Sequence, residues 1–236
     1  MQRIFDCSVD AELLAGTRQA KAALAKNHLV VLPTDTVYGI AADAFSRKGV
    51  AALLAAKGRG RQSPPPVLIP KLATMDALAE HVPQVARRLA EAFWPGALTM
   101  IFKAQLSLQW DLGETKGTVA LRMPDHQIAL HLLEEVGPLA VSSANLTGHP
   151  AATNAQQAFD YLGESVDVYL DAGESPKGEA STILDLTDLA ETFVDGKVET
   201  TGKIRVVRAG ALSLAAIRDV VGDLLEPEDD AAGGAA

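Results

Sequence analysis

The run LVVLPTDTVYGIAADAFSRKGVAALLAAKGRG, residues 29–60, sets out the plan of the whole chain. Leu29 to Leu32 form a short apolar strand, which ends at Pro33 because proline has no N–H to give a neighbouring strand. A polar stretch beginning Thr34-Asp35-Thr36 leads away from it. Ser46 is then placed to cap a helix in which Val50, Leu53 and Leu54 share one face and Lys57 falls in the last turn. Strand, polar turn and amphipathic helix make one unit of an α/β protein.

The same alternation extends in both directions. Ser8 is placed to cap a helix running to about Asn27, rich in alanine and leucine. Downstream, VLIP (67–70) reads as a strand, and 74–81 and 84–93 read as helices. Trp94-Pro95-Gly96 breaks the chain before the strand LTMIF (98–102). TVALRMP (118–124) is another strand, 126–136 a helix and PLAVSSA (138–144) a strand, after which Thr153 caps a helix ending at Gly163. VDVYLDAG, STILDL and KIRVVRAG supply later strands, and 213–225 a last amphipathic helix. Helices alternating with strands predict an α/β fold with a substantially parallel sheet. The strand-rich run 166–208 predicts some antiparallel pairing as well. No internal repeat or linker divides the body, so one domain over residues 1–225 is expected.

Composition supports that plan. A chain of 236 residues that is 48% hydrophobic buries a full core, with alanine, leucine and valine filling it because only 5% is aromatic. No apolar run is long enough to span a membrane, and MQRIFDCSVD lacks the apolar stretch of a signal peptide. Cys7 is the sole cysteine, which rules out an internal disulfide and a cysteine-rich zinc site. A soluble, cytoplasmic protein is expected. Of the net charge of −9, −4 sits in the final run EPEDDAAGGAA (226–236), which has too little apolar surface to offset its ordering entropy and is expected to be disordered. An acidic body does not favour nonspecific DNA binding, yet a local basic pocket remains open to it.

Such a pocket has a candidate in KGRGRQSPPP (57–66), with three cations in five residues and then three prolines. Cations at a helix C-terminus complement its dipole by about 0.3–1 kcal/mol, and that alone accounts for KGR. Three features add a ligand to the reading. Gly58 and Gly60 let a ligand approach the backbone, Pro64, Pro65 and Pro66 stiffen the loop, and arginine matches phosphate oxygens with its fork. A polyphosphate or carboxylate is the candidate ligand. Neither a P-loop nor a dinucleotide-binding glycine pattern is present. VSSANLTGHP (141–150) crowds Ser142, Ser143, Asn145 and Thr147 at a strand end, where α/β sheets deliver ligand contacts and where an Asx turn is the plainer reading. Asp35 is a weak candidate for a metal ligand or base. Arg122 inside an apolar strand needs an anionic partner, either a substrate carboxylate or a structural salt bridge. The five histidines form no zinc pattern, and no G-x-S-x-G occurs, so neither a metal site nor a serine hydrolase is indicated.

These segments, in this order, resemble the YrdC/Sua5 family of threonylcarbamoyl-AMP synthases. The matching pieces are PTDTVYGIAADA (33–44), KGR (57–59), FWPGALTMIF (93–102), TVALRMP (118–124), SSANLTGHP (142–150), STILDL (181–186) and VVRAG (206–210). The resemblance implies a twisted, open, mixed parallel and antiparallel sheet with flanking helices around a positively charged cavity. It implies an enzyme that joins L-threonine, bicarbonate and ATP, with Mg²⁺ on the phosphates, into threonylcarbamoyl-AMP and pyrophosphate. That product supplies the t6A modification of tRNA through a separate transferase complex, and contact with tRNA is a further implied partner. On the family's K-x-R and S-x-N signatures, Lys57, Arg59, Ser143 and Asn145 become the catalytic residues, contacting ATP phosphates. Ser63, Thr118 and Arg208 become further ATP contacts, and Thr34, Arg122 and Ser181 the threonine pocket, with no protein ligand for a metal. Two positions depart from the family pattern: Ser63 where many members have asparagine, and Leu68 where many have histidine. An RNA-binding module and a nucleotide-binding paralogue without this activity stay open. An acidic body with few aromatics for base stacking weighs against the first.

Overall fold

The computed structural model describes residues 3–227. All but the first two residues of the acidic C-terminal run lie outside the described residues. The chain order is β1 (Ile4–Asp6), α1 (Asp10–Leu24), β2 (Val30–Leu32), β3 (Gly39–Asp43), α2 (Arg47–Ala56), β4 (Val67–Leu68), α3 (Leu72–Leu78) and α4 (Gln84–Phe93). Then come β5 (Leu98–Lys103), β6 (Thr118–Arg122), α5 (Gln127–Val136), β7 (Leu139–Ser143), α6 (Ala155–Leu162), β8 (Val168–Asp171) and β9 (Thr182–Asp185). β10 (Ala190–Val194), β11 (Lys197–Thr201), β12 (Arg205–Arg208) and α7 (Leu214–Val221) follow.

Local chemistry explains most of the boundaries. Ser46 caps α2, its Oγ accepting the Gly49 N–H at 2.9 Å, and Val50, Leu53 and Leu54 are buried as their spacing predicts. Ser213 caps α7 in the same way, but that helix stops at Gly222 (φ +57°) rather than continuing to 225 as a single α-helix. Two expected caps differ. Val9, not Ser8, precedes α1, because the Ser8 hydroxyl donates to Asp6 Oδ1 at 2.6 Å and is drawn away from the helix. Asn154 rather than Thr153 caps α6, accepting the Gln157 N–H at 2.8 Å.

Ten strands form one open sheet in the order β1-β8-β2-β3-β7-β4-β6-β5-β9-β12, and β10–β11 form a separate hairpin. Alternation of elements alone predicts a largely parallel sheet; the sheet is mixed, as the family resemblance implies. β1–β8, β2–β8, β4–β6 and β5–β9 run parallel, while β2–β3, β3–β7, β4–β7, β5–β6 and β9–β12 run antiparallel. The reason lies in β3, which turns back on β2 across the short segment 33–38 with no crossover helix and so pairs antiparallel with it. Gly39 begins that strand, and a Cβ there would sit 2.6 Å from Val141 Cγ1. Close packing of β3 on β7 therefore requires glycine.

Helices cover both faces of half the sheet. α1 and α5 pack with β2, β7 and β8 in one cluster that holds Leu24, Val30, Leu132 and Leu170; α2 and α6 pack on the other face around Ile40, Leu53 and Tyr169. The half containing β5, β6 and β9 differs. One face packs on α3, α4 and α7, burying Met100, Leu121, Leu184, Leu89 and Ile217, each worth about 1.5–3 kcal/mol as a fully buried side chain. Its other face supplies the floor of a cavity.

Candidate active site

The floor follows from the period of two along a strand. Thr99 and Ile101 of β5, Thr118, Ala120 and Arg122 of β6, and Ser181 and Ile183 at β9 line the cavity, while Leu98, Met100, Leu121 and Leu184 point into the core. The volume is about 340 Å³, at the lower end of the roughly 300–1,000 Å³ of small-molecule sites. Thr34, Thr36 and Tyr38 form one wall, Ser142 and Ser143 from the end of β7 another, and Arg59 with Pro64, Pro65 and Pro66 a third. Arg208 reaches in from β12. Arg59, Arg122 and Arg208 all line the cavity, and among the described residues no Asp or Glu does.

Arg122 has the structural partner that its strand position demanded. Its Nη2 donates to Asp35 Oδ1 at 2.5 Å, its Nη1 to Thr36 Oγ1 at 2.8 Å and its Nε to the Gly96 carbonyl at 2.9 Å. That engages three of the five N–H groups of a guanidinium, and the side chain still borders the cavity. Burial lowers its pKa; Asp35 pulls it back up and Arg208 pushes it further down. Asp35 is thereby placed beside the arginine, where the sequence offered only a weak metal ligand or base. Its Oδ1 also accepts the Asp125 N–H at 3.0 Å. Its Oδ2 makes no hydrogen bond among the described residues; the Lys177 Nζ stands at 3.9 Å, an ion-pair distance too long for one.

The two signatures of the basic and polar loops meet in an unexpected way. Lys57 is 1% exposed and is not part of the lining. Its Nζ donates to the carbonyl of Ser143, to the carbonyl of Asn145 at 2.7 Å and to Asn145 Oδ1 at 3.2 Å. Asn145 turns inward too, its amide donating to the His149 carbonyl at 2.6 Å. Lys57 and Asn145 thus brace the 143–149 turn, and Ser143 is the member of that signature on the cavity wall. Burial, then the Arg59 charge, brings the Lys57 pKa down to about 7.

Arg59 reaches the cavity with two long hydrogen bonds, to Thr147 Oγ1 and Ser142 Oγ, both 3.3 Å. Arg208 grips the Ser181 carbonyl at 3.0 and 2.7 Å through Nε and Nη2. Burial and Arg59 lower its pKa. Ser181 Oγ pairs with Thr99 Oγ1 at 2.8 Å, and Thr118 Oγ1 donates to the Thr115 carbonyl at 2.8 Å. Thr34 Oγ1 donates to the Val37 carbonyl at 2.7 Å. Ser63, expected as an ATP contact, is absent from the lining; its N–H closes a turn onto the Gly60 carbonyl at 3.2 Å and leads into the prolines. Thr99 was missed from the sequence, although its place two residues before Ile101 in LTMIF carried the signal. Leu112 and Thr115, also missed, come from a segment without any periodic pattern.

Fold and cavity together define an open-sheet α/β protein with a ligand-sized site on the half of the sheet that carries helices on one face. A family model for Sua5, YciO and YrdC, described as "Telomere recombination", matches residues 22–194, and the chain belongs to that family. A relative from Mycobacterium leprae (strain TN) is 50% identical over 222 residues, 94% of this chain and 95% of its own. The threonylcarbamoyl-AMP synthase of Pyrococcus abyssi (strain GE5 / Orsay) is 34% identical over 88% of this chain, which spans 57% of that protein. The crystal structure of P. abyssi Sua5 complexed with L-threonine superposes with a TM-score of 0.82 at 30% identity, covering 95% of this chain and 62% of that one.

Proposed function

We propose that this chain is a threonylcarbamoyl-AMP synthase, a nucleotidyltransferase that joins L-threonine, bicarbonate and ATP and releases pyrophosphate, feeding the t6A modification of tRNA. The observation that carries the reading is the set of three arginines, with Arg122 and Arg208 desolvated and each repelled by a neighbouring arginine, around a cavity that no carboxylate lines among the described residues. That arrangement supports a positively charged cavity and calls for an anionic ligand. Similarity to the P. abyssi synthase and to the threonine complex of P. abyssi Sua5 supports the choice of ligand.

The chemistry follows from positions. Threonine's amine combines with bicarbonate, losing water, to give an N-carboxylate. One oxygen of that carboxylate attacks the α-phosphorus of ATP, the bond to the β-phosphate oxygen breaks, and pyrophosphate leaves. Arg59, Arg208 and Ser143 hold the phosphates and neutralise the charge that develops on the leaving group. The two N–H groups that Arg122 does not use on Asp35, Thr36 and Gly96 take the threonine carboxylate, with Thr34 and Ser181 beside it. Lys57 and Asn145 act by bracing the turn that presents Ser143, and Thr118 borders the nucleotide. Mg²⁺ arrives on ATP, coordinated by its phosphates and water. Rate acceleration comes from positioning and charge rather than covalent catalysis.

The test is incorporation of labelled bicarbonate into a nucleotide product by the purified protein with ATP and Mg²⁺. The reading requires a threonine-dependent adenylate with equimolar pyrophosphate, and little product with L-serine or no amino acid. ATP binding without such a product would favour the nucleotide-binding paralogue. RNA binding that weakens steeply with salt, without adenylate formation, would favour the binding module.

A further inference from the structure

The third cation of the basic run takes no part in the site described above. Arg61 has a side chain that is 57% exposed and is not among the cavity lining. It grips Asp111 instead, Nη2 to Oδ1 at 2.8 Å and Nη1 to Oδ2 at 3.1 Å, a two-bonded fork on a carboxylate. Glu114 donates its backbone N–H to the Arg61 carbonyl at 2.7 Å. Gly113 comes so close that a Cβ there would sit 2.6 Å from the Arg61 carbonyl oxygen, and its φ of +107° is one that side chains rarely adopt. A side-chain fork, a backbone bond and a glycine contact thus tie the segment between β5 and β6 onto the 57–66 loop. Trp110 anchors the same segment by stacking on Phe45, ring centroids 5.6 Å apart.

The tie shapes the cavity. Leu112 and Thr115 of the tied segment line it, as do Pro64 and Pro65 of the other loop. Along β6, Arg122 stands with Thr36 at one end and Thr118 with Thr115 at the other. Four residues of extended strand separate these ends by about 13 Å. The wall that the tied segment contributes is uncharged, in contrast to the arginines elsewhere. Apolar surface with hydroxyls suits a nucleoside, not a triphosphate. We propose that the Arg61–Asp111 fork and the Gly113 contact hold this segment as the wall of the nucleoside end of the ATP site, making Arg61, Asp111 and Gly113 positioning residues. The assignment rests on the ATP-using reading above.

Calorimetric titration of the full chain with Mg-ATP, with tripolyphosphate and with L-threonine tests it, using Arg61→Ala, Asp111→Ala, the double variant and Gly113→Ala. Each single alanine variant at the fork is expected to raise the Kd for ATP about fivefold. The double variant should be no worse than either single, because one interaction is lost in all three. Gly113→Ala should weaken ATP binding by more than about tenfold, since backbone cannot yield as a side chain can. Tripolyphosphate and threonine affinities should stay at the wild-type level. Unchanged ATP affinity in both single variants overturns the proposal, as does equal weakening of ATP and tripolyphosphate. Wild-type protein that binds ATP with this dependence but makes no threonylcarbamoyl-AMP would remove the activity and leave the wall in place; wild-type protein that binds no ATP would remove both.

Discussion

Asp35→Asn isolates the charge that holds Arg122 in place. Asparagine keeps the shape of the side chain, so its amide oxygen can still accept from Arg122 Nη2 and from the Asp125 N–H. What disappears is the negative charge beside an arginine that is 6% exposed. Lys177, with Nζ 3.9 Å from Asp35 Oδ2, and Arg208 then add repulsion. Two unit charges about 4 Å apart interact by roughly 4 kcal/mol at an effective dielectric of about 20. Removing one partner of a buried pair costs about 3–5 kcal/mol by comparison with other proteins, which agrees. At about 2–4 °C per kcal/mol for a domain of this size, the melting temperature should fall by roughly 6–20 °C. Urea and thermal unfolding of wild type, Asp35→Asn, Arg122→Met and the double variant close a thermodynamic cycle. The double variant should recover most of the loss, because it leaves no unpaired charge, and the coupling should exceed about 2 kcal/mol. A melting temperature for Asp35→Asn within about 2 °C of wild type, or single effects that simply add, would refute the buried-pair account.

Other outcomes follow from the same geometry. The pKa of Lys57 in the folded protein, about 7, lies below its unfolded value of about 10.4. Between those values the unfolded chain binds the extra proton, so the Lys57 contribution to stability rises with pH and is flat below about 7. Lys57→Met should remove that rise, and identical urea midpoints against pH in both proteins would contradict it. Arg59→Ala should abolish adenylate formation and weaken ATP binding at least about tenfold with little change in melting temperature, since its hydrogen bonds within the protein are long. A normal rate would remove it from the phosphates. Arg122→Ala should raise the threonine KM more than the ATP KM; equal effects would argue against its place at the amino-acid carboxylate. Gly39→Ala should cost about 1–3 kcal/mol by overpacking β3 against Val141, and an unchanged urea midpoint would show that β7 can shift to make room.

Element positions were largely legible because they depend on neighbours in sequence. The Ser46 cap, the apolar face of α2 and the strand character of Thr118–Arg122 need only local periodicity and a capping side chain. Ser8 fails as a cap because of Asp6, a competitor two residues away that a pattern of helix starts does not weigh. β3 was missed for a different reason. Gly39-Ile40-Ala41-Ala42-Asp43 has neither alternation nor β-branched enrichment, and it becomes a strand through pairing with β2 and β7 on either side. The later antiparallel pairing was anticipated in the run 166–208, where β9 and β12 pair and β10 and β11 form their hairpin.

The sequence by itself determined the order of most elements, β3 excepted, and it carried the signatures that place the chain in its family. It also marked Arg122 as a residue in need of an anion. Only the tertiary structure decided what each cation of KGRGR does. Lys57 turns to carbonyls 86 and 88 residues away, Arg59 borders the cavity, and Arg61 holds a carboxylate 50 residues away. In a loop, no helical or strand period dictates side-chain direction; the direction is set by whichever partner the fold brings within reach. Those partners, the end of β7 and the segment before β6, are distant in sequence and adjacent only once the sheet has formed.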